Sequence, residues 1–111
     1  MKFTSSLRNS TEFQRVYGNG KSYANKYLIM YILENNSPCN RLGISVSKKV
    51  GNSVVRHRIK RLIKESYRLQ EDMFNSGLDI VVIARGSASS VGFDKIDSAV
   101  KHLSKLHRLY K

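Results

Sequence analysis

Residues 42–84 read LGISVSKKVGNSVVRHRIKRLIKESYRLQEDMFNSGLDIVVIA, and the hydrophobic period changes twice along them. Leu42, Ile44 and Val46 alternate with Gly43, Ser45 and Ser47, the two-residue repeat of a strand whose second face is small and polar. From Val54 to about Met73, residues Val55, Ile59, Leu62, Leu69 and Met73, with Ser66 between them, recur at helical spacing. Gly77 ends the connection, and Leu78 to Ala84 is a β-branched run of the kind found in a buried central strand. Strand, helix and strand in succession predict a helix packed on a sheet.

The flanks extend that unit. Lys21 to Leu33 reads as one strand, with Tyr27, Ile29, Tyr31 and Leu33 on one face and Leu28, Met30 and Ile32 on the other. Turn-forming residues between Asn35 and Asn40 predict that it pairs with the Leu42–Ser47 strand as a hairpin. Before it, Asn9 and Glu12 have capping-box spacing, Phe13, Val16 and Tyr17 share a face of the helix they open, and Gly18-Asn19-Gly20 stops it. After the central strand, the Gly86–Gly92 loop leads to a helix from about Phe93 to Tyr110, with Phe93, Ile96, Val100, Leu103 and Leu106 on its core side. The predicted order is α-β-β-α-β-α, an α/β sandwich on one central sheet. No linker or repeat divides the chain, so residues 1–111 are read as one domain.

Charge narrows the function. Twenty Lys and Arg against eight Asp and Glu give a formal +12 and a pI near 10.1. A small domain does not need that charge for solubility, and its self-repulsion points to a polyanion, with nucleic acid ahead of an anionic membrane. The single cysteine, Cys39, excludes an internal disulfide and a multi-cysteine zinc site. The first ten residues hold no apolar run, so no signal peptide is expected. The longest apolar stretches, 27–33 and 80–84, fall far short of the roughly 20 residues that span a bilayer. A cytoplasmic protein with no membrane partner is expected.

Eight of the cations, Lys48, Lys49, Arg56, Arg58, Lys60, Arg61, Lys64 and Arg68, lie within 21 positions, accompanied by Glu65 as the one acid. Arg56, Lys60, Lys64 and Arg68 step round one side of the predicted helix, with Arg61 adjacent, opposite the apolar stripe. A solvated helix face ordinarily mixes signs at four-residue spacing, whereas this one is nearly all cationic and suits phosphates, with Arg as a planar fork and Lys as a point charge. Gly51 and Ser53 precede the helix, where glycine allows close backbone approach and serine can cap; an ordinary turn is the simpler reading.

Lys48, Lys49, Gly51, Asn52, Val54, Arg56, Lys60 and Arg61 resemble the signature segment of the bacterial ribonuclease P protein component. The likeness extends over Glu12-Phe13-Gln14-Arg15-Val16-Tyr17, Gly20, Ala24-Asn25, Arg41-Leu42-Gly43-Ile44-Ser45-Val46-Ser47 and Ile83-Ala84-Arg85. It implies a fold like the second domain of ribosomal protein S5, with a left-handed β-α-β crossover where general rules favour the right hand. It further implies that Lys48, Lys49, Asn52, Arg56, His57, Arg58, Lys60, Arg61, Lys64 and Arg68 contact the ribonuclease P RNA subunit. The groove between the first helix and the sheet would take the single-stranded 5′ leader of precursor tRNA, through Phe13, Tyr17, Tyr31, Ser45 and Ser47. From pattern alone those aromatics would be read as core; beside cations, aromatic faces stack unpaired bases. Tyr27 is expected either to adjoin that cleft or to pack. Ser53, His57 and Lys64 stand where alanine, asparagine and arginine are common in the family. Lys64 keeps the charge but loses the bidentate fork, and the bonding of His57 depends on its tautomer.

No catalytic constellation is readable. His57, His102 and His107, Asp94 with Asp97, and Glu71-Asp72 all suit surface or capping roles. The resemblance implies that the RNA subunit performs Mg²⁺-dependent hydrolysis, making the chain a subunit of an endoribonuclease that matures tRNA 5′ ends. No cofactor held by protein ligands alone and no protein partner are expected. The alternatives are a generic RNA-binding ribosomal protein or RNA chaperone, which shares the charge, a DNA-binding helix-turn-helix, a membrane-surface protein and a self-sufficient nuclease. The strands flanking the basic helix disfavour the helix-turn-helix. The need of its apolar face for the core disfavours membrane binding.

Overall fold

The computed structural model describes residues 3–111. Five strands form one sheet in the order β1 (Thr4–Ser6), β4 (Asn40–Ser45), β5 (Leu78–Ala84), β3 (Leu28–Glu34) and β2 (Lys21–Ala24). Three α-helices accompany it: α1 (Ser10–Asn19), α2 (Ser53–Gln70) and α3 (Phe93–Leu106). β4 and β5 run parallel, with Arg41 opposite Asp79 and Ser45 opposite Ile83. A parallel pair needs a long crossover, and α2 supplies it. β3 lies antiparallel to β5, with Leu28 opposite Ala84.

The sheet is covered unequally. One face presents Leu28, Met30, Leu42, Ile80 and Val82 to Ile59, Ile63 and Tyr67 of α2 and to Ile96, Val100 and Leu103 of α3, all buried. The other face receives α1 alone, where Val16 is buried against Leu7 and Val81, and Phe13, Tyr17 and Tyr31 are only partly covered. β5 is the central strand that its composition predicts. The capping box also forms: the Asn9 side chain accepts from the Glu12 amide at 2.9 Å, and the Glu12 carboxylate accepts from the Asn9 amide at 3.2 Å.

Several expectations are corrected. The Lys21–Leu33 strand is two strands, β2 and β3, folded back on each other with Ala24 opposite Ile29. Asn25 makes the turn: its side-chain oxygen accepts from the amides of Tyr27 (3.2 Å) and Leu28 (3.0 Å), and its amide donates to the Ala99 carbonyl at 3.0 Å. The hairpin is therefore β2–β3; β3 does not pair with β4, because β5 lies between them. Tyr27, placed before β3 begins, packs towards the α2 and α3 side rather than the cleft. β1 carries no apolar signal and is held instead by Thr4, whose hydroxyl lies 2.8 Å from the Tyr67 hydroxyl and donates to Glu71 at 2.5 Å. Glu71, expected at a solvated end, is thus buried.

The core stripe of α2 also differs. Ile59, Ile63, Ser66, Tyr67 and Gln70 are buried, while Leu69 and Met73 are 60% and 51% exposed. The polar members fit because each finds a partner: Ser66 donates to Asp97 at 2.7 Å, and Tyr110 donates to Gln70 at 2.5 Å. α2 stops at Gln70 and Met73 falls in a short 3-10 turn, out of helical phase. α3 ends at Leu106, four residues earlier than its periodicity predicts, and Arg108 turns the chain with φ 57°.

Candidate nucleic-acid interface

The capping box starts α1 just before Phe13, and the helical period places Phe13 and Tyr17 together on one flank of Val16. The Phe13 ring lies over Gly43 of β4, so closely that a Cβ there would come within 2.6 Å of the ring. Tyr17 meets Tyr31 of β3 edge to face, with ring centroids 5.1 Å apart, and Phe13 follows at 6.3 Å. Burial pushes the Tyr17 phenol above its usual value, and the neighbouring Ser45 side chain partly offsets the rise. Phe13, Tyr17, Tyr31 and Ser45 therefore gather on the thinly covered face. Ser47 lies beyond the end of β4, exposed at the start of the following turn, where its carbonyl accepts from Val50.

On the other flank of Val16 stand Glu12 and Arg15, tied to a buried acid. Asp79, on β5, has a fully buried side chain and ion-pairs with Arg15. Arg41 on β4 grips the same carboxylate with two nitrogens at 2.8 and 2.7 Å and reaches Glu12 at 2.6 Å. Asn35 donates to Asp79 at 2.9 Å. Burial alone would raise the Asp79 pKa, but the bonds from Arg41 and Asn35 and the charges of Arg41 and Arg15 outweigh it and hold the carboxyl below its ordinary range. This network escaped the sequence reading. Its one signal is an acid inside the apolar Leu78–Ala84 run, since a buried carboxylate requires a partner.

The cations of α2 are deployed differently from one another. Asn52, not Ser53, caps the helix, accepting from the Val55 amide at 3.0 Å. Gly51 serves packing rather than ligand approach: a Cβ there would meet the Val55 side chain at 2.7 Å. Arg58 turns inward and donates to the carbonyls of Val91 (2.9 Å) and Ser89 (2.7 Å), tying α2 to the loop before α3. Arg56 is half-buried and reaches the Gly51 carbonyl at 3.4 Å. Arg68 pairs with Glu65 at 2.5 Å on the surface. Lys48, Lys49, His57, Lys60, Arg61 and Lys64 are exposed. Lys60 and Lys64 border a cavity of about 350 Å³ whose other wall includes Phe13 and Gly43, so the cationic helix and the aromatic cleft share an edge of the sheet. A larger cavity, about 1080 Å³, lies beside the end of β3 and the start of β5, and Lys21, Glu34 and Arg108 give it mixed charge.

One of the two acids singled out by spacing, and one of the histidines, are committed elsewhere. Asp97 binds Lys101 at 2.8 Å and accepts from Ser66, and His107 bonds the Met30 carbonyl at 2.8 Å. Among the described residues no three His, Cys, Asp or Glu side chains converge as metal ligands. Among the described residues no helix is long and apolar enough to cross a membrane.

A profile of the family described as Ribonuclease P matches residues 1–108. The chain belongs to the ribonuclease P protein family. It is 62% identical over 104 residues to the ribonuclease P protein component of Lachnoclostridium phytofermentans, covering 94% of this chain and 90% of that one. It is 50% identical over 103 residues to the counterpart from Clostridioides difficile, covering 92% and 90%. Among solved structures, the ribonuclease P protein of Staphylococcus aureus superposes with a TM-score of 0.89 at 36% identity, covering 96% of this chain and 97% of that one. The Thermotoga maritima protein gives 0.84 at 31% identity, covering 96% and 99%. Membership assigns the chain a role in the ribonuclease P holoenzyme, an endoribonuclease of tRNA processing, with the ribonuclease P RNA as partner.

Proposed function

We propose that the chain binds the ribonuclease P RNA subunit through the exposed cations of α2, the half-buried Arg56 and the preceding turn, and holds the single-stranded leader of precursor tRNA in the cleft between α1 and the sheet. The observation that carries this reading is the shared edge: Phe13 and Gly43 on one side of a cavity, Lys60 and Lys64 on the other. Leader bases stack on Phe13, Tyr17 and Tyr31, with Ser45 as a polar floor, and such stacking is worth about 1–3 kcal/mol per base with little sequence preference. The cations neutralise phosphates and release counterions, which makes assembly salt-dependent.

The scissile step belongs to the RNA subunit in this reading. The RNA-catalysed reaction uses Mg²⁺, and the described residues offer no converging ligand set for it. The protein contributes by lowering phosphate repulsion and by holding the leader in place, which removes entropy from the reaction in advance. The test is cleavage of a precursor tRNA at limiting Mg²⁺ with RNA subunit alone, protein alone and both. Cleavage is expected chiefly in the mixture. Cleavage by the protein alone would make it a self-sufficient nuclease, and no enhancement over RNA alone would make it a generic RNA-binding protein.

A further inference from the structure

We infer that Asp79 is a positioning residue for the aromatic cleft: through Arg15 and Arg41 it fixes the roll of α1 about Val16 and thereby the spacing of the Phe13 and Tyr17 rings over the sheet. The inference rests on the leader-binding reading above.

Val16 is the one residue of α1 that is fully buried, and apolar contact is non-directional. Phe13 and Tyr17 pack beside it but are only partly covered, so apolar contact alone sets the rotation of the helix loosely. Phe13 and Tyr17 project on one flank of that pivot, and Glu12 and Arg15 on the other, at about 100° per residue. A roll of about 10° moves a ring lying about 6 Å from the helix axis by about 1 Å, enough to spoil a stacking geometry. The ion pairs resist that roll. Asp79 is itself immobile, paired with Leu33 on β3 and Arg41 on β4 at the centre of the sheet. Arg41 holds it bidentately and also bonds Glu12, so the first turn and the middle of α1 are referred to one carboxylate. Replacing the whole cluster, the acid and both arginines together, by well-packed apolar residues need not cost stability, because desolvating buried ions offsets much of their attraction. Directional geometry is what the acid adds.

The test uses holoenzyme reconstituted from the RNA subunit with wild-type protein, Asp79→Asn, Arg15→Gln or Arg15→Lys. Arg15 is partly exposed, so its replacement leaves the Arg41–Asp79 pair and the fold in place. Two quantities are read: affinity for the RNA subunit, and the ratio of affinities for precursor tRNA with and without a leader. Asp79→Asn and Arg15→Gln are expected to cut the leader-dependent ratio by about tenfold while the RNA-subunit affinity holds. Arg15→Lys restores most of the ratio, since one donor suffices for its contact with Asp79. In a Phe13→Ala background Arg15→Gln has little left to remove, the signature of coupling through the rings. If Asp79→Asn fails to fold, Arg15→Gln decides alone. A folded Arg15→Gln holoenzyme with an undiminished ratio overturns the positioning role. A wild-type holoenzyme with no leader dependence overturns the leader reading itself, and the positioning role with it.

Discussion

Arg15 on α1 and Lys60 on α2 are both helix cations, and they are treated in opposite ways. Arg15 is matched to a buried carboxylate, as is Arg41 beside it. Lys60, Lys64 and Arg61 are exposed on a helix whose one acid, Glu65, is engaged by Arg68. The difference separates architecture from binding. Charges around α1 are neutralised within the protein, with geometry fixed by ion pairs, whereas those of α2 are available to an outside anion. Arg58 sharpens the point from within α2, because its guanidinium is spent on two carbonyls and it acts as architecture.

The largest effect expected along this divide is at the buried acid. Asp79→Ala strands Arg41 and Arg15 and should cost about 3 kcal/mol of stability, near the lower end for a buried pair because both guanidiniums reach solvent; chemical denaturation checks it. The stability owed to Asp79 is complete above the ordinary carboxyl value of 3.8 and is lost as the pH falls through its lower folded-state pKa. Acid unfolding of wild type and Asp79→Asn should therefore converge only at strongly acidic pH.

Gly43→Ala comes next. The new Cβ would stand 2.6 Å from the Phe13 ring and 3.1 Å from Leu7, and the overpacking should cost about 1–3 kcal/mol. The displaced ring should weaken leader binding with the RNA-subunit affinity retained, read by titration with precursor tRNA of increasing leader length. Arg58→Ala should lower stability by about 1–2 kcal/mol through two lost charged hydrogen bonds, yet leave the salt dependence of RNA binding within error. Lys60→Ala should do the reverse, reducing the slope of log affinity against log salt by about 1 with little change in melting temperature. If Arg58→Ala instead lowers the slope and leaves stability intact, the division drawn inside α2 fails. Smallest is Arg68→Ala, whose exposed pair with Glu65 should contribute no more than about 0.5 kcal/mol to stability.

What could be read in the sequence follows the range of the interactions involved. The three helices, the buried central strand and the capping box at Asn9 and Glu12 are short-range features, set by local period and caps, and all are found. Strand pairing depends on residues far apart in the chain, so the hairpin was expected between the wrong strands. The Asn25 side chain that splits β2 from β3 works through bonds to Tyr27, Leu28 and Ala99, a set no linear pattern displays. Apolarity alone places the stripe of α2 towards Leu69, whereas the polar Ser66 and Gln70 are buried because Asp97 and Tyr110 meet them. At the candidate site, the rings of Phe13, Tyr17 and Tyr31 meet on one face of the sheet, a contact between α1 and β3 that helical spacing within α1 shows only for the first two. Asp79 is one acid in an apolar run, and its meaning lies in Arg15, Arg41 and Asn35.

The central claim is that α2 and the cleft do separable work, and one paired measurement addresses it. RNA-subunit affinity and leader-dependent substrate affinity are determined for Arg56→Ala and Phe13→Ala in the reconstituted holoenzyme. Arg56→Ala is expected to weaken RNA-subunit binding while the leader ratio holds once assembly is saturated. Phe13→Ala is expected to lower the leader ratio by about tenfold, as the loss of one stacked base implies, while assembly holds. Equal losses in both quantities for both variants would contradict the account.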